Sequence, residues 1–263
     1  MIPIWRIREK IKFVISRGIV YISGRAKSSK MILENYRNKY KGQRCFIICN
    51  GPSLTASDLD MLKDEITFAS NRIYNIFSKT EWRPTFWAIF DVGVIKLDGA
   101  VDGINSIPAE MKFTRDKGYL DFKGIKGRIC YLHSWDNRSY LNNPKFSDDL
   151  TKGIYGIATV TYNLIQIARF MGFDKIYIIG ADHHYKNMET RRGNIIVDPN
   201  AKSYFGNIKD TSEQAPAGVW EMELAYEYAE KYSREHGFRI YNATRGGHLD
   251  VFERVNLNDV LNG

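Results

Sequence analysis

Cysteine is scarce: Cys45, Cys49 and Cys130 are the three in 263 residues. Three thiols cannot build a disulfide framework. There is no C-x-x-C pair and no His/Cys cluster, so neither zinc nor dithiol redox chemistry is indicated. No stretch approaches 18 uncharged apolar residues, which argues against a membrane-spanning helix. The continuous apolar core and small-residue cleavage site of a signal peptide are also missing. Neither G-x-G-x-x-G nor a P-loop occurs, leaving an ordinary dinucleotide or Walker site unsupported. There is no internal repeat. A basic surplus is absent from most of the chain: residues 1–44 hold twelve Lys/Arg against two Asp/Glu, and the remainder holds 26 against 28. The body is therefore near neutral, which argues against nucleic acid as its partner and for an interacting basic arm.

What is present is a set of strands that end in small polar residues. Hydrophobic content of 44% and charged content of 26% are those of a globular protein. Cys45 to Cys49 reads as a buried strand, with the two thiols turned to one face as small core residues of a reduced compartment. It breaks into the turn Asn50-Gly51-Pro52-Ser53, and Thr55 to Asp60 follows, rich in helix N-cap residues. A strand, a tight polar turn and then a helix is where open α/β sheets bind phosphate, through backbone N–H groups and the helix dipole.

Further strands are expected at residues 66–70, 86–90, 128–132, 175–179 and 238–241, and helices at 57–63, 158–171 and 220–236. This alternation predicts an α/β, Rossmann-like fold, a mostly parallel sheet with helices on both faces. Residues 112–124 carry no readable pattern. Residues 135–152 read as a loop over a site, and 189–205 as a flexible, lid-like loop. Residues 44–263 form one catalytic domain in this reading, preceded by a basic amphipathic helical arm, residues 1–43.

In the arm, Ile4, Ile7, Ile11, Val14 and Ile15 follow helical spacing, with Arg6, Arg8, Lys10, Lys12 and Arg17 between them and Trp5 and Phe13 adding aromatic bulk. Such a helix suits an anionic membrane surface, contacted through residues 1–30; packing on the body or on a second copy of the chain is the alternative. Ser23 to Lys30 reads as a flexible basic link into a short helix over residues 31–40.

Several side chains fall at the carboxyl ends of strands. Asn50, Asn71 with Arg72, and Asp91 end the first three. Asp182-His183-His184-Tyr185 follows the fifth and is the leading acid–base candidate, because an imidazole takes a hydroxyl proton near neutral pH and a carboxylate orients it. Strand alternation would let only one of the two histidines face a cleft. His248 after Gly246-Gly247 is a second base candidate. His133 is a cleft candidate, and His236 reads as a helix C-terminal cap. Asn242 and Thr244 would read the nucleotide base or sugar. Tyr185, Tyr204, Phe205 and Trp220 would form an aromatic acceptor wall.

Ile48-Cys-Asn-Gly-Pro-Ser-Leu54 and Ser70-Asn-Arg-Ile-Tyr74 resemble the start of the bacterial sialyltransferases of lipooligosaccharide synthesis. Thr159–Gln166, Gly172–Tyr185 and Ile240–Phe252 resemble the MptE-like proteins, which include motility-associated flagellin glycosylation factors and an archaeal hydroxymethylpterin diphosphokinase. The resemblance spans roughly residues 44–257. It implies a modified Rossmann fold and a nucleotide-activated donor such as a CMP-nonulosonic acid, with inverting transfer and no metal cofactor.

Carried over by position, Asn50, Gly51 and Ser53 would contact the donor phosphate, with Pro52 shaping the turn, and Asn71 would touch the donor. Gly156-Ile-Ala158-Thr159 resembles the turn that holds the cytidine phosphate. The sialyltransferases place a catalytic His before the last long helix, where this chain reads Gln214-Ala-Pro-Ala-Gly-Val-Trp220. The expected protein is a glycosyltransferase of surface polysaccharide or lipopolysaccharide synthesis. It would act on a glycan or lipid-linked acceptor, in the cytoplasm, on the inner face of the inner membrane. The alternatives are a pterin-type diphosphokinase using ATP and Mg²⁺ with Asp91 and Asp182 as carboxylates, and a non-catalytic nucleotide-binding assembly protein.

Overall fold

The computed structural model describes residues 4–135, 142–205 and 216–263. Two helices, α1 (Ile4–Ile22) and α2 (Arg25–Tyr36), precede the first strand, β1 (Arg44–Ile48). Then follow α3 (Ala56–Asp60), β2 (Thr67–Ser70), β3 (Phe86–Ile89), α4 (Val92–Ile95), α5 (Ala100–Asn105), β4 (Met111–Arg115) and β5 (Ile129–Leu132). A small two-stranded pair, β6 (Ser134–Trp135) and β7 (Ile154–Tyr155), leads to α6 (Val160–Phe170) and β8 (Lys175–Ile179). A hairpin of β9 (Asn187–Glu189) and β10 (Ile195–Val197) comes next, then α7 (Val219–Glu235), β11 (Arg239–Asn242), β12 (Glu253–Arg254) and α8 (Leu257–Asn262).

Among the described residues, eight strands form one parallel sheet in the order β12-β11-β8-β1-β2-β3-β4-β5. From β1 the chain winds outward through β2 to β5, then returns to the other side of β1 with β8. The reversal point of the sheet therefore lies between β1 and β8, where open α/β sheets leave a crevice beyond their carboxyl ends. The expected α/β, Rossmann-like architecture is the one observed.

β1 is apolar because both of its faces are covered. Cys45 and Ile47 join the layer containing α2, α6 and α7, whereas Phe46 and Ile48 join the opposite layer with Leu59 of α3, Ile104 of α5 and the partly buried face of α8. Thr159 caps α6 by accepting from the Thr161 N–H, and Thr55 and Asp58 form a reciprocal capping box on α3. At the end of α6, Gly172 has φ 96°, and a Cβ there would meet Asn38 Cα at 2.8 Å.

Three local expectations change. Residues 112–124 contain β4, whose Met111, Phe113 and Thr114 are buried; its length of five residues leaves little periodicity to read. The basic link shrinks to Ser23-Gly24, because α2 begins at Arg25 and is anchored by the Ser29 hydroxyl accepting from the Tyr131 N–H at 2.9 Å. Within 189–205 the chain makes part of a hairpin, with β10 paired antiparallel to β9. Trp135 and the residues 142–152 flank a segment, 136–141, that lies outside the described residues, as do Gln214 and Ala215. No described helix is long and apolar enough to cross a membrane.

Candidate functional site

An open cavity of about 550 Å³ sits over the β1/β8 reversal point. The ends of β1, β2, β3, β4 and β8 reach it through Asn50, Asn71, Asp91, Arg115 and Asp182. Gly156, Ala158 and Thr159 bring the N-terminus of α6 to its wall, and Tyr185, Tyr204 and Tyr226 line it with aromatic rings.

Among the described residues, the buried polar atoms of the lining that have no hydrogen-bond partner include Asn50 Oδ1, Asn71 Oδ1 and His183 Nε2. Such atoms cost free energy unless a ligand or water pairs with them. Asn50 is held for this role by donating Nδ2–H to the Ser70 carbonyl at 3.1 Å, which ties β1's end to β2's. Among the described residues four non-glycine side chains have positive φ, and three of them, Asn71 (50°), Ala158 (51°) and His183 (56°), line this cavity. A left-handed backbone at such residues is costly, and it concentrates at binding sites.

The Asn50–Ser53 turn differs from a phosphate cradle. Gly51 N–H donates to the Gly180 carbonyl at 2.9 Å. Ser53 gives both its N–H (3.2 Å) and its hydroxyl (2.8 Å) to Asp182 Oδ2. Pro52 has no N–H. The Gly51 and Ser53 donors expected to face an anion are committed within the protein, and the turn offers the cavity Asn50 and Gly51, not Pro52 or Ser53. The positive end of α6 lines the cavity, and Arg115 is a cationic side chain of the lining.

Asp182 thus ties two loops together and is not a free base. Its carbonyl also accepts from the His248 N–H at 2.8 Å. The carboxylate that meets an imidazole is Asp198, whose Oδ2 lies 2.9 Å from His184 Nε2. That bond, with backbone N–H donors from Asn200 and Ala201, holds the Asp198 carboxyl below its ordinary range. With Nε2–H directed at Asp198, Nδ1 of His184 is the acceptor nitrogen.

Both histidines line the cavity, unlike the one expected from alternation. β8 ends at Ile179, and the left-handed turn at His183 breaks the period of two. Desolvation, followed by the neighbouring His248, pushes His183 down to about 4, so its ring is neutral near pH 7. Burial pushes the Cys49 thiol up to about 11, which leaves it protonated and unsuited to thiolate chemistry.

Other expected site residues have structural roles. Asn242 is fully buried, donates Nδ2–H to the Leu249 carbonyl (2.6 Å) and accepts from the Thr244 N–H (2.9 Å). Thr244 Oγ1 accepts from the Ala181 N–H (3.1 Å). These bonds pin the 243–249 loop to the end of β8, so neither residue lines the cavity. His248 is exposed and contributes no lining; its ring is 4.9 Å from that of His184. Arg72 and Trp220 also lie off the wall, with Arg191 over the Trp220 ring. His133 pairs with Asp116 at 2.9 Å, away from the cavity, and His236 caps the α7 terminus by donating Nδ1–H to the Tyr232 carbonyl at 2.9 Å.

Arg115, which lines the cavity, and Asp198, which holds His184 without lining it, escaped the sequence reading. Arg115 ends a strand by the same rule that flagged Asn71, but β4 itself was not legible. Asp198 lies in a polar loop whose return to His184 no local pattern announces.

The family model described as "6-hydroxymethylpterin diphosphokinase MptE-like" matches residues 25–188. The chain belongs to the MptE-like family. Its matched segment runs from α2 through β8 and contains most of the cavity wall, including Asp182 to Tyr185. Among solved structures the chain is similar to the MAf glycosyltransferase from Magnetospirillum magneticum AMB-1, with a TM-score of 0.52 and 13% identity over 89% of this chain. At that identity the likeness is one of fold, and the chain spans 38% of the length of that protein. No curated protein matches the chain.

Proposed function

We propose that this MptE-like protein is a glycosyltransferase whose cavity holds a nucleotide-activated sugar, with a CMP-nonulosonic acid as the preferred donor. The observation that carries the reading is the composition of the lining: the α6 N-terminus and Arg115 offer positive potential for anions, and Asn50 and Asn71 offer unpaired acceptors for the hydroxyl or amino donors of a nucleotide. A CMP-nonulosonic acid carries two anionic groups, a phosphate and a carboxylate, which matches two positive features. The MAf neighbour, a glycosyltransferase, supports the same reading.

In this reading the acceptor hydroxyl attacks the anomeric carbon from the face opposite the nucleotide. The bond from that carbon to the phosphate oxygen breaks, and its electron pair leaves with CMP, stabilised by the α6 terminus and Arg115. His184 Nδ1 takes the hydroxyl proton, and Asp198 stabilises the imidazolium that forms. His183 stays neutral and pairs with donor or acceptor hydroxyls. Tyr185 and Tyr204 form the acceptor side. The acceptor is a surface glycan or its lipid-linked precursor, met at the cytoplasmic face of the membrane.

The second reading, a diphosphokinase, rests on the family's description. It would need Mg²⁺ and ATP phosphates between Asp91 and Asp182. Both line the cavity, but Asp182 Oδ2 is committed to Ser53 and Asp91 Oδ1 to the Gly93 N–H. A thermal-shift panel of CMP, CDP, UDP, GDP and ATP, with and without Mg²⁺, separates the two. Stabilisation by CMP without metal supports the transferase; stabilisation confined to ATP with Mg²⁺ replaces it with the kinase.

A further inference from the structure

α1 is held to the body by the wrong side for an ordinary surface helix. Such helices turn their apolar stripe inward. Here the inward seam is Phe13, Ser16, Arg17 and Val20, of which Ser16 and Val20 are fully buried. Arg17 Nε donates to Asp116 Oδ2 at 2.9 Å and its Nη2 to the Ser134 carbonyl at 3.2 Å. Lys12 pairs with Asp121, and Phe13 lies under the guanidinium of Arg115. At 3.6 residues per turn, Ile7, Ile11, Val14, Ile15 and Ile22 share the opposite face. They face solvent: Val14 is 73% exposed and Ile22 91%.

We propose that this stripe seats on an anionic lipid surface. Charge decides the occupant. Residues 1–31 carry eight Lys/Arg and one Asp/Glu. Arg6, Arg8 and Lys10 on α1 and Lys27 and Lys30 on α2 are exposed. An apolar stripe edged by cations matches acyl chains beneath anionic headgroups. A second copy packing stripe to stripe would bring its own cations against these. Arg115, which lines the cavity, touches Phe13 on the inward side of α1, so the helix lies between the cavity wall and the docked surface. The docking itself does not depend on the transferase reading.

Co-sedimentation of the 263-residue chain with vesicles tests this. The chain is expected to pellet with phosphatidylglycerol vesicles, to stay in solution with phosphatidylcholine vesicles, and to be released in part by about 1 M salt. The double substitution Ile11→Glu/Val14→Glu, on exposed positions, should keep the parent's melting temperature and weaken binding roughly tenfold or more, since each buried aliphatic side chain is worth a decade or more in partitioning. Equal pelleting of parent and double variant, or no pelleting with phosphatidylglycerol, overturns the proposal. So does lipid-free self-association in size-exclusion chromatography that the double variant abolishes, which would assign the stripe to a second copy.

Discussion

Asp182 Oδ2 accepts both the N–H and the hydroxyl of Ser53, which locks the turn after β1 to the turn after β8. The lock is tight at its neighbour, where a Cβ on Gly51 would lie 2.0 Å from that oxygen and 2.5 Å from the Gly180 carbonyl. Asp182→Asn keeps an acceptor in place and should leave donor turnover within about threefold, whereas Asp182→Ala strands two donors and should cost ~1–3 kcal/mol of stability. Urea unfolding and donor hydrolysis measure the two. A catalytic Asp182 would show the reverse: a folded, inactive Asp182→Asn.

Gly51→Ala tests the same contact by steric means. The clash involves backbone as well as a carboxylate, so relief requires separating the β1 and β8 turns. A loss of ~1–3 kcal/mol is expected, as for overpacking in a well-filled site. Unchanged urea midpoints would place the turns further apart than described.

The His184–Asp198 pair predicts a graded loss of transfer from CMP-sialic acid. His184→Ala should lower kcat by ~10²–10⁴, and Asp198→Asn by a smaller factor because the imidazole remains. Melting temperatures should change little for either, since the pair is partly exposed, with side chains 33% and 35% accessible. Full activity in His184→Ala would remove the base assignment and leave His183 as the candidate.

His183 predicts an acid limb in stability. Its folded value is about 4, below the ordinary value of 6.5. A histidine buried neutral gains its proton more readily when unfolded. Its contribution is therefore present above about pH 6.5 and is lost as pH falls toward 4, at most about 3 kcal/mol in all. In His183→Gln the drop in urea midpoint over that window should shrink. His248, which lowers the value, and Asp250, which raises it, are the charges to keep constant.

Arg17 predicts how α1 is attached. Asp116 is 1% exposed and takes Arg17 and His133 on one oxygen. Arg17→Ala leaves that buried carboxylate with a single side-chain partner and should cost ~1–3 kcal/mol. Limited proteolysis should then cut within residues 4–24 while the sheet stays protected. An unchanged digestion pattern would mean that Phe13, Ser16 and Val20 suffice to hold the helix.

The legible parts of the fold were those whose pattern is local. β1, β2, β3, β8 and β11 announce themselves as apolar runs closed by Asn, Asp or Gly, β5 as an apolar run closed by His133-Ser134, and α6 and α7 by their length and periodicity. β4 did not, because its five residues mix Lys112 and Thr114 into a buried strand; Lys112 is tolerated there by donating to the Ile104 carbonyl at 2.8 Å. Asn50, Asn71, Asp91 and the 182–185 segment could be placed on one sheet edge from sequence, since parallel topology brings all carboxyl ends together.

The sequence by itself determined the α/β class, the edge of the sheet that would carry polar side chains, and a basic arm on a neutral body. These follow from periodicity, turn chemistry and charge, which act over a few residues. Only the tertiary structure decided how those side chains are used. It turned Asp182, Asn242 and Thr244 inward to fasten loops, and brought Asp198 back from a distant hairpin to His184. It also docked α1 through Arg17 and Lys12 with its apolar stripe facing out. Each outcome depends on which of several equally polar partners lies within hydrogen-bonding reach, and that is set by contacts between segments far apart in the chain.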